Sequence, residues 1–97
     1  MNATLNSNIT FIGGGNMAQA LIGGLLARGL PTTRIMVSDP VEAIRQLLHE
    51  KEIQAVDDNV KAIKNADVVV LAVKPQVLGT VLKPLYGLFE GKLIVSI

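Results

Sequence analysis

At 97 residues the chain has length for one domain and not for two. It has no cysteine, which excludes disulfides, thiolate metal sites and a cysteine nucleophile. Nine Lys and Arg against eight Asp and Glu leave a net charge of +1, which lacks the basic excess that binding to nucleic acid or an anionic membrane surface calls for.

Hydrophobic residues make up 49% of the chain and aromatics only 3%, so the core is aliphatic. That suits parallel strands buried on both faces under covering helices. Residues 1–8 are polar, with no basic stretch followed by an apolar one, and do not read as a signal peptide. The apolar run Val68-Val69-Val70-Leu71-Ala72-Val73 is far too short to span a bilayer as a helix. These features are compatible with the cytoplasm.

The chain begins its regular structure with Ile9-Thr10-Phe11-Ile12, a β-prone run ending at Gly13-Gly14-Gly15. Residues 16–28 then favour a helix, stopped by Gly29. This helix is apolar nearly all round, which predicts that it is largely buried. Gly23 and Gly24 inside it predict the close approach of another backbone. Pro31-Thr32-Thr33 reads as a turn, and Arg34-Ile35-Met36-Val37-Ser38 as a second strand ended by Asp39-Pro40.

Residues 41–51 form the second predicted helix, with Ala43, Ile44, Leu47 and Leu48 as its apolar face. Its polar residues Glu42 and Arg45, with Glu52 beyond them, read as a solvated face, and His49 as a surface residue. Ile53-Gln54-Ala55-Val56 is a short third strand. Asp57-Asp58-Asn59 can cap a short helix over residues 60–65. The run from Val68 to Val73 is a fourth strand, buried on both faces and closed by Lys74-Pro75. Residues 77–88 read as a fourth helix made irregular by Pro84. Leu93-Ile94-Val95-Ser96-Ile97 is a fifth strand, expected to leave an apolar edge open to association.

Strands alternating with helices imply a parallel sheet with right-handed crossovers. The predicted fold is α/β, a Rossmann-type doubly wound sheet in the order 3-2-1-4-5. Residues 1–97 read as one dinucleotide-binding domain, and the stop on a core strand predicts a piece of a longer protein.

Gly13-Gly14-Gly15-Asn16-Met17-Ala18 fits G-x-G-x-x-A, follows the first strand and opens a helix. The first glycine makes the tight turn, and the second lets the backbone approach a pyrophosphate. Ala18 must be small for the helix to pack on the strand. Phosphates then sit at the helix N-terminus, where free N–H groups and the helix dipole favour negative charge.

Asp39 ends the second strand, 24 residues after Gly15. It stands either as a carboxylate accepting from an adenosine ribose, which favours NAD over NADP, or as the start of the Asp-Pro turn and the cap of the second helix. Lys74 lies where the first and fourth strands part, the switch point at which such sheets bind ligands, though a strand-end lysine is also often only solvated. No Ser/His/Asp set, paired carboxylates or metal cluster is visible, and no catalytic or metal-binding residue is assigned.

With Phe11-Ile12-Gly13-Gly14-Gly15-Asn16-Met17-Ala18 and Leu71-Ala72-Val73-Lys74-Pro75-Gln76 in place, the chain resembles pyrroline-5-carboxylate reductase along nearly its whole length. The Ala-Val-Lys-Pro segment is the more specific signature, since many dehydrogenases share the glycine motif. The resemblance implies an oxidoreductase that makes L-proline from 1-pyrroline-5-carboxylate with NADPH or NADH. The substrate and dimer-forming helical domain would lie beyond these residues, and the full-length protein would be a homo-oligomer.

By the same resemblance, Ile12, Gly13, Gly14, Gly15, Asn16 and Met17 bind the pyrophosphate. Ser38, Asp39 and Pro40 meet the adenosine ribose or its phosphate, and Asn59 also reaches the cofactor. Ala72, Val73, Lys74 and Pro75 lie along the nicotinamide. Asp39 departs from the small polar or Asn-Arg pattern of NADP-preferring members. Two other readings share the glycine motif: a nucleotide-binding module without catalysis, and a related reductase of the arogenate or hydroxy-acid dehydrogenase type.

Overall fold

The structure, a computed structural model, describes residues 6–97. Residues 1–5, within the polar stretch 1–8 that does not read as a signal peptide, lie outside the described residues. Five parallel strands, β1 (Ile9–Ile12), β2 (Ile35–Ser38), β3 (Gln54–Val56), β4 (Val68–Leu71) and β5 (Leu93–Ser96), form one sheet in the order β3-β2-β1-β4-β5. The chain steps one way from β1 to β3 and returns to the other side of β1 for β4, so right-handed crossovers place the earlier and the later helices on opposite faces.

Among the described residues four α-helices cover the sheet: α1 (Asn16–Ala27), α2 (Glu42–Glu50), α3 (Asn59–Ile63) and α4 (Pro75–Leu82). Side chains alternate along each strand, so two cores result. On one face Phe11, Ile35, Val37 and Val70 pack with Ile22 of α1 and Leu48 of α2. On the other, Ile12, Val69 and Leu71 pack with Ile63 of α3, with Leu85 and with the apolar side of α4. Each fully buried aliphatic side chain contributes about 1.5–3 kcal/mol. Thr10 is a hydroxyl inside the sheet; it donates to the Ala62 carbonyl at 2.8 Å, which removes the penalty of burying it.

Three expectations need correction. First, α1 is not largely buried: only Ala18 and Ile22 are, while Met17 is 63% and Leu21 42% exposed. The crossovers set α1 and α2 over β1 to β3, and on that face no helix among the described residues stands above β4 and β5. Leu21 and Leu25 therefore border an open apolar groove of about 440 Å³ floored by Val68, Val70 and Val95. Outside the helix's own backbone, nothing among the described residues comes within 4 Å of where a Cβ of Gly23 or Gly24 would stand, so no second backbone among them approaches.

Second, the fourth helix starts at Pro75 rather than at 77, and ends at Leu82 rather than at 88. Proline is preorganised for the first helical position, where its missing N–H is not needed. A short 3-10 turn, Lys83–Leu85, follows and holds Pro84. Third, the apolar face of α2 is narrower than its pattern suggests. Leu48 is buried and Ile44 half-buried, whereas Ala43 and Leu47 are exposed.

Both long helices end in the same way. After α1, Gly29 takes φ +101°, Leu30 N–H bonds the Leu25 carbonyl at 3.1 Å and Gly29 N–H bonds the Leu26 carbonyl at 3.0 Å. After α2, Glu52 takes φ +64°, with matching bonds from Ile53 to Leu48 and from Glu52 to His49. This is the Schellman ending, which suits glycine because a Cβ is strained at positive φ. Glu52→Gly should therefore stabilise the fold by about 0.5–1 kcal/mol, read as a raised urea midpoint with an unchanged slope. A lowered midpoint would show that the Glu52 side chain contributes more than its backbone strain costs.

Candidate functional site

Strand register brings the site together. Ile12 pairs with Ser38 and with Leu71, and Ser38 pairs with Val56. The next residues, Gly13, Asp39, Ala72 and Asp57, thus leave the sheet side by side at its carboxyl edge. Between β1 and β4 the helices part to opposite faces, and a crevice opens there. It is a cleft of about 490 Å³, lined by Ile12, Gly13 and Gly15 from the first loop, Ser38, Asp39 and Pro40 from the second, Asn59, and Ala72, Val73 and Lys74 from the fourth.

The three glycines do three different things. Gly13 takes φ +103° and donates to the Ser38 carbonyl at 2.8 Å. A Cβ there would strike the backbone carbonyl of Ala72. Gly14 is buried, with a virtual Cβ only 3.0 Å from Val37 and Ile44 methyls. Gly15 is the N-cap of α1, is exposed, and has nothing within 4 Å of its virtual Cβ. Ala18 is 1% exposed, so the small residue in the motif does pack against the sheet.

The N–H groups of Gly15, Asn16, Met17 and Ala18 have no protein acceptor among the described residues, and the first turn of α1 carries no acidic side chain. Asn16 and Met17 are exposed beside them. Open space, unpaired donors and the positive end of a helix dipole converge at one point, the environment an anionic phosphate requires.

At the end of β2, Ser38 is buried and its Oγ donates to Oδ1 of Asn59 at 2.5 Å. Asp39 is turned inward and is 7% exposed. Its Oδ2 accepts from Gly14 N–H at 2.9 Å and its Oδ1 from Val41 N–H at 2.8 Å. Arg45, expected on a solvated face, instead reaches back to donate to the Asp39 carbonyl at 2.8 Å. On the far side of the cleft, Ala72 and Val73 are half-buried and Lys74 is the exposed N-cap of α4, followed by exposed Pro75.

Several contributors escaped the sequence reading. Asp57 is exposed and lines the cleft; it does not cap α3, a role taken by Asp58, which accepts from Lys61 N–H. The strand-end rule that singles out Asp39 also reaches Asp57 once β3 is placed. Val41, Ile44, Val77 and Val81 add an apolar lining. Gln19, whose amide donates to the Gly14 carbonyl at 2.8 Å, gives no signal in a motif that ends at Ala18.

Fold and glycine turn together define a Rossmann-class α/β domain with an open helix N-terminus at its switch point. A family model described as NADP oxidoreductase coenzyme F420-dependent matches residues 8–97, and the chain belongs to that family. The chain is 47% identical over 95 residues to the pyrroline-5-carboxylate reductase of Pasteurella multocida, a match covering 93% of the chain and 34% of that protein. With that of Pseudomonas aeruginosa it shares 48% over 91 residues, covering 92% and 33%. A solved pyrroline-5-carboxylate reductase from Coxiella burnetii superposes with a TM-score of 0.88 at 40% identity, covering 94% of this chain and 35% of that one. The Plasmodium falciparum pyrroline carboxylate reductase with NADP bound gives a TM-score of 0.81 at 25% identity, covering 95% and 33%. The chain thus spans about a third of the length of the curated relatives it matches. No helix among the described residues is long and apolar enough to cross a membrane.

Proposed function

We propose that this chain is the NADP- or NAD-binding part of a pyrroline-5-carboxylate reductase, which reduces 1-pyrroline-5-carboxylate to L-proline. The observation that carries the reading is the set of unpaired N–H groups from Gly15 to Ala18 facing open space at Gly15. Relatives of the same name at 47% and 48% identity over nearly the whole chain support the substrate.

In this reading the N–H groups of Gly15, Asn16 and Met17 hold the pyrophosphate. The Ser38–Asn59 pair, Pro40 and Asp57 bound the adenosine end, and Ala72, Val73, Lys74 and Pro75 bound the nicotinamide side. The reduced nicotinamide, when bound, supplies the hydride. The rigid carboxyl edge of the sheet holds the ring in place. Apolar Val77 and Val81 keep water from part of the cleft. The remaining two-thirds of a protein of the relatives' length would hold the imine against the ring and assemble the oligomer. The whole protein would act in the cytoplasm, without nucleic acid or membrane.

Titration with NADPH and with NADH, followed by nicotinamide fluorescence, should show saturable one-to-one binding to the 97-residue chain. That chain should not turn over 1-pyrroline-5-carboxylate, whereas a protein of the relatives' full length should form proline. Positioning a substrate can supply about 7 kcal/mol or more of a barrier, and in this reading the surface that does so belongs to the part of the relatives' length that the chain does not span. Absence of binding to either cofactor would refute the site, and proline formation by the short chain would refute the division of labour.

A further inference from the structure

Gly14 is gripped at both of its backbone polar groups. Its N–H donates to Oδ2 of Asp39 at 2.9 Å, and its carbonyl accepts from Nε2 of Gln19 at 2.8 Å. The peptide plane is rigid and trans, so the Gly14 carbonyl and the Gly15 N–H point in opposite directions. By fixing that carbonyl, Gln19 fixes the aim of the Gly15 N–H into the open space of the cleft.

The grip matters because of what surrounds it. Gly13, Gly14 and Gly15 are consecutive, and glycine reaches either sign of φ at little cost. A peptide plane between two glycines is the easiest in the chain to turn over. Side-chain anchors remove that freedom before any ligand arrives.

Asp39 is itself anchored at every polar group. Its N–H donates to the Val56 carbonyl at 2.9 Å, its carbonyl accepts from Arg45 at 2.8 Å, and its second carboxylate oxygen accepts from Val41 N–H at 2.8 Å. At 7% exposure it cannot swing out to a ribose without breaking two hydrogen bonds.

We propose that Gln19 and Asp39 are positioning residues that lock the glycine loop for dinucleotide phosphate, and that Asp39 does not read the adenosine ribose. The proposal rests on the dinucleotide reading above. It makes Asp39 indifferent to the 2′-phosphate, contrary to the NAD preference that an acidic residue at a second-strand end otherwise suggests.

The test uses the 97-residue chain with Gln19→Met and Asp39→Asn, titrated with NADPH and NADH well below the melting temperature of each variant. Met keeps the length of Gln without the donor, and Asn keeps the shape of Asp with one acceptor fewer. Gln19→Met should weaken both cofactors by the same factor, about 3- to 10-fold, the worth of one neutral hydrogen bond. Asp39→Asn should weaken both equally and by more, leaving the ratio of the two affinities within about two-fold of wild type.

A selective gain for NADPH in Asp39→Asn would identify a ribose-reading carboxylate and overturn the proposal. So would unchanged affinities in Gln19→Met, which is half-exposed and readable even if the Asp39 variant fails to fold. A melting temperature that fell in Gln19→Met with affinities unchanged would reduce its role to stability and overturn it too. Wild type that bound neither cofactor would instead remove the dinucleotide reading on which the proposal stands.

Discussion

Gly15→Val should remove dinucleotide binding while leaving the domain folded. The virtual Cβ of Gly15 meets no atom within 4 Å, and its backbone lies at φ −75° and ψ −166°, a conformation valine adopts readily. The protein has room for the side chain, and a phosphate held by the same N–H groups would not. Valine is a poorer N-cap than glycine, so stability should fall by about 1 kcal/mol at most. Losing two hydrogen bonds to a charged group, each worth about 1.5–3 kcal/mol, weakens binding about 100-fold or more. Calorimetric titration with NADPH beside a thermal melt separates the two effects. Wild-type affinity in Gly15→Val would show that the phosphates lie elsewhere.

Two residues earlier, the same class of change should do the reverse. Gly13→Ala adds a Cβ at φ +103°, where non-glycine residues are strained, and drives it into the Ala72 carbonyl, which belongs to the neighbouring strand's exit and has no freedom to retreat. The Gly13 N–H bond to Ser38 and the Ala72 N–H bond to Ile12, both 2.8 Å, tie the same corner of the sheet. Strain and clash together should cost about 3 kcal/mol or more, a large share of the total stability of a small domain. For a chain of this size that lowers the melting temperature by more than about 12 °C. A melt by circular dichroism within a few degrees of wild type would mean that β1 and β4 can separate at this corner. The pair of variants thus distinguishes a glycine the fold needs from a glycine the ligand needs.

The glycine motif was legible because each of its requirements is local. A strand must end, a turn must form, a helix must begin, and all six motif residues are adjacent in the chain. Lys74 was legible for a related reason: a long apolar run ending in Lys-Pro marks a strand end, and the crossover rules place that end beside β1. Gln19 was not legible, because its role depends on a carbonyl five residues back, bent into reach by the turn. Arg45 read as solvated because a polar residue on an amphipathic helix looks the same whether it faces water or a strand-end carbonyl.

The alternation of apolar runs, with their breaks at glycine and proline, determined the five strands and the helices between them, because these follow from the local chain. The order of the sheet was expected from the doubly wound pattern, and once that order is given the handedness of crossovers sets which face each helix covers. Only the tertiary structure shows where the Asp39 carboxylate lies, on the N–H groups of Gly14 and Val41. A carboxylate at that strand end can face outward or fold inward, and here it folds inward onto the N–H of Gly14, 25 residues away, which strand pairing brings within 2.9 Å. The exposure of α1 was likewise decided in three dimensions: an apolar pattern specifies what a helix is able to bury, and the packing around it determines which side is covered.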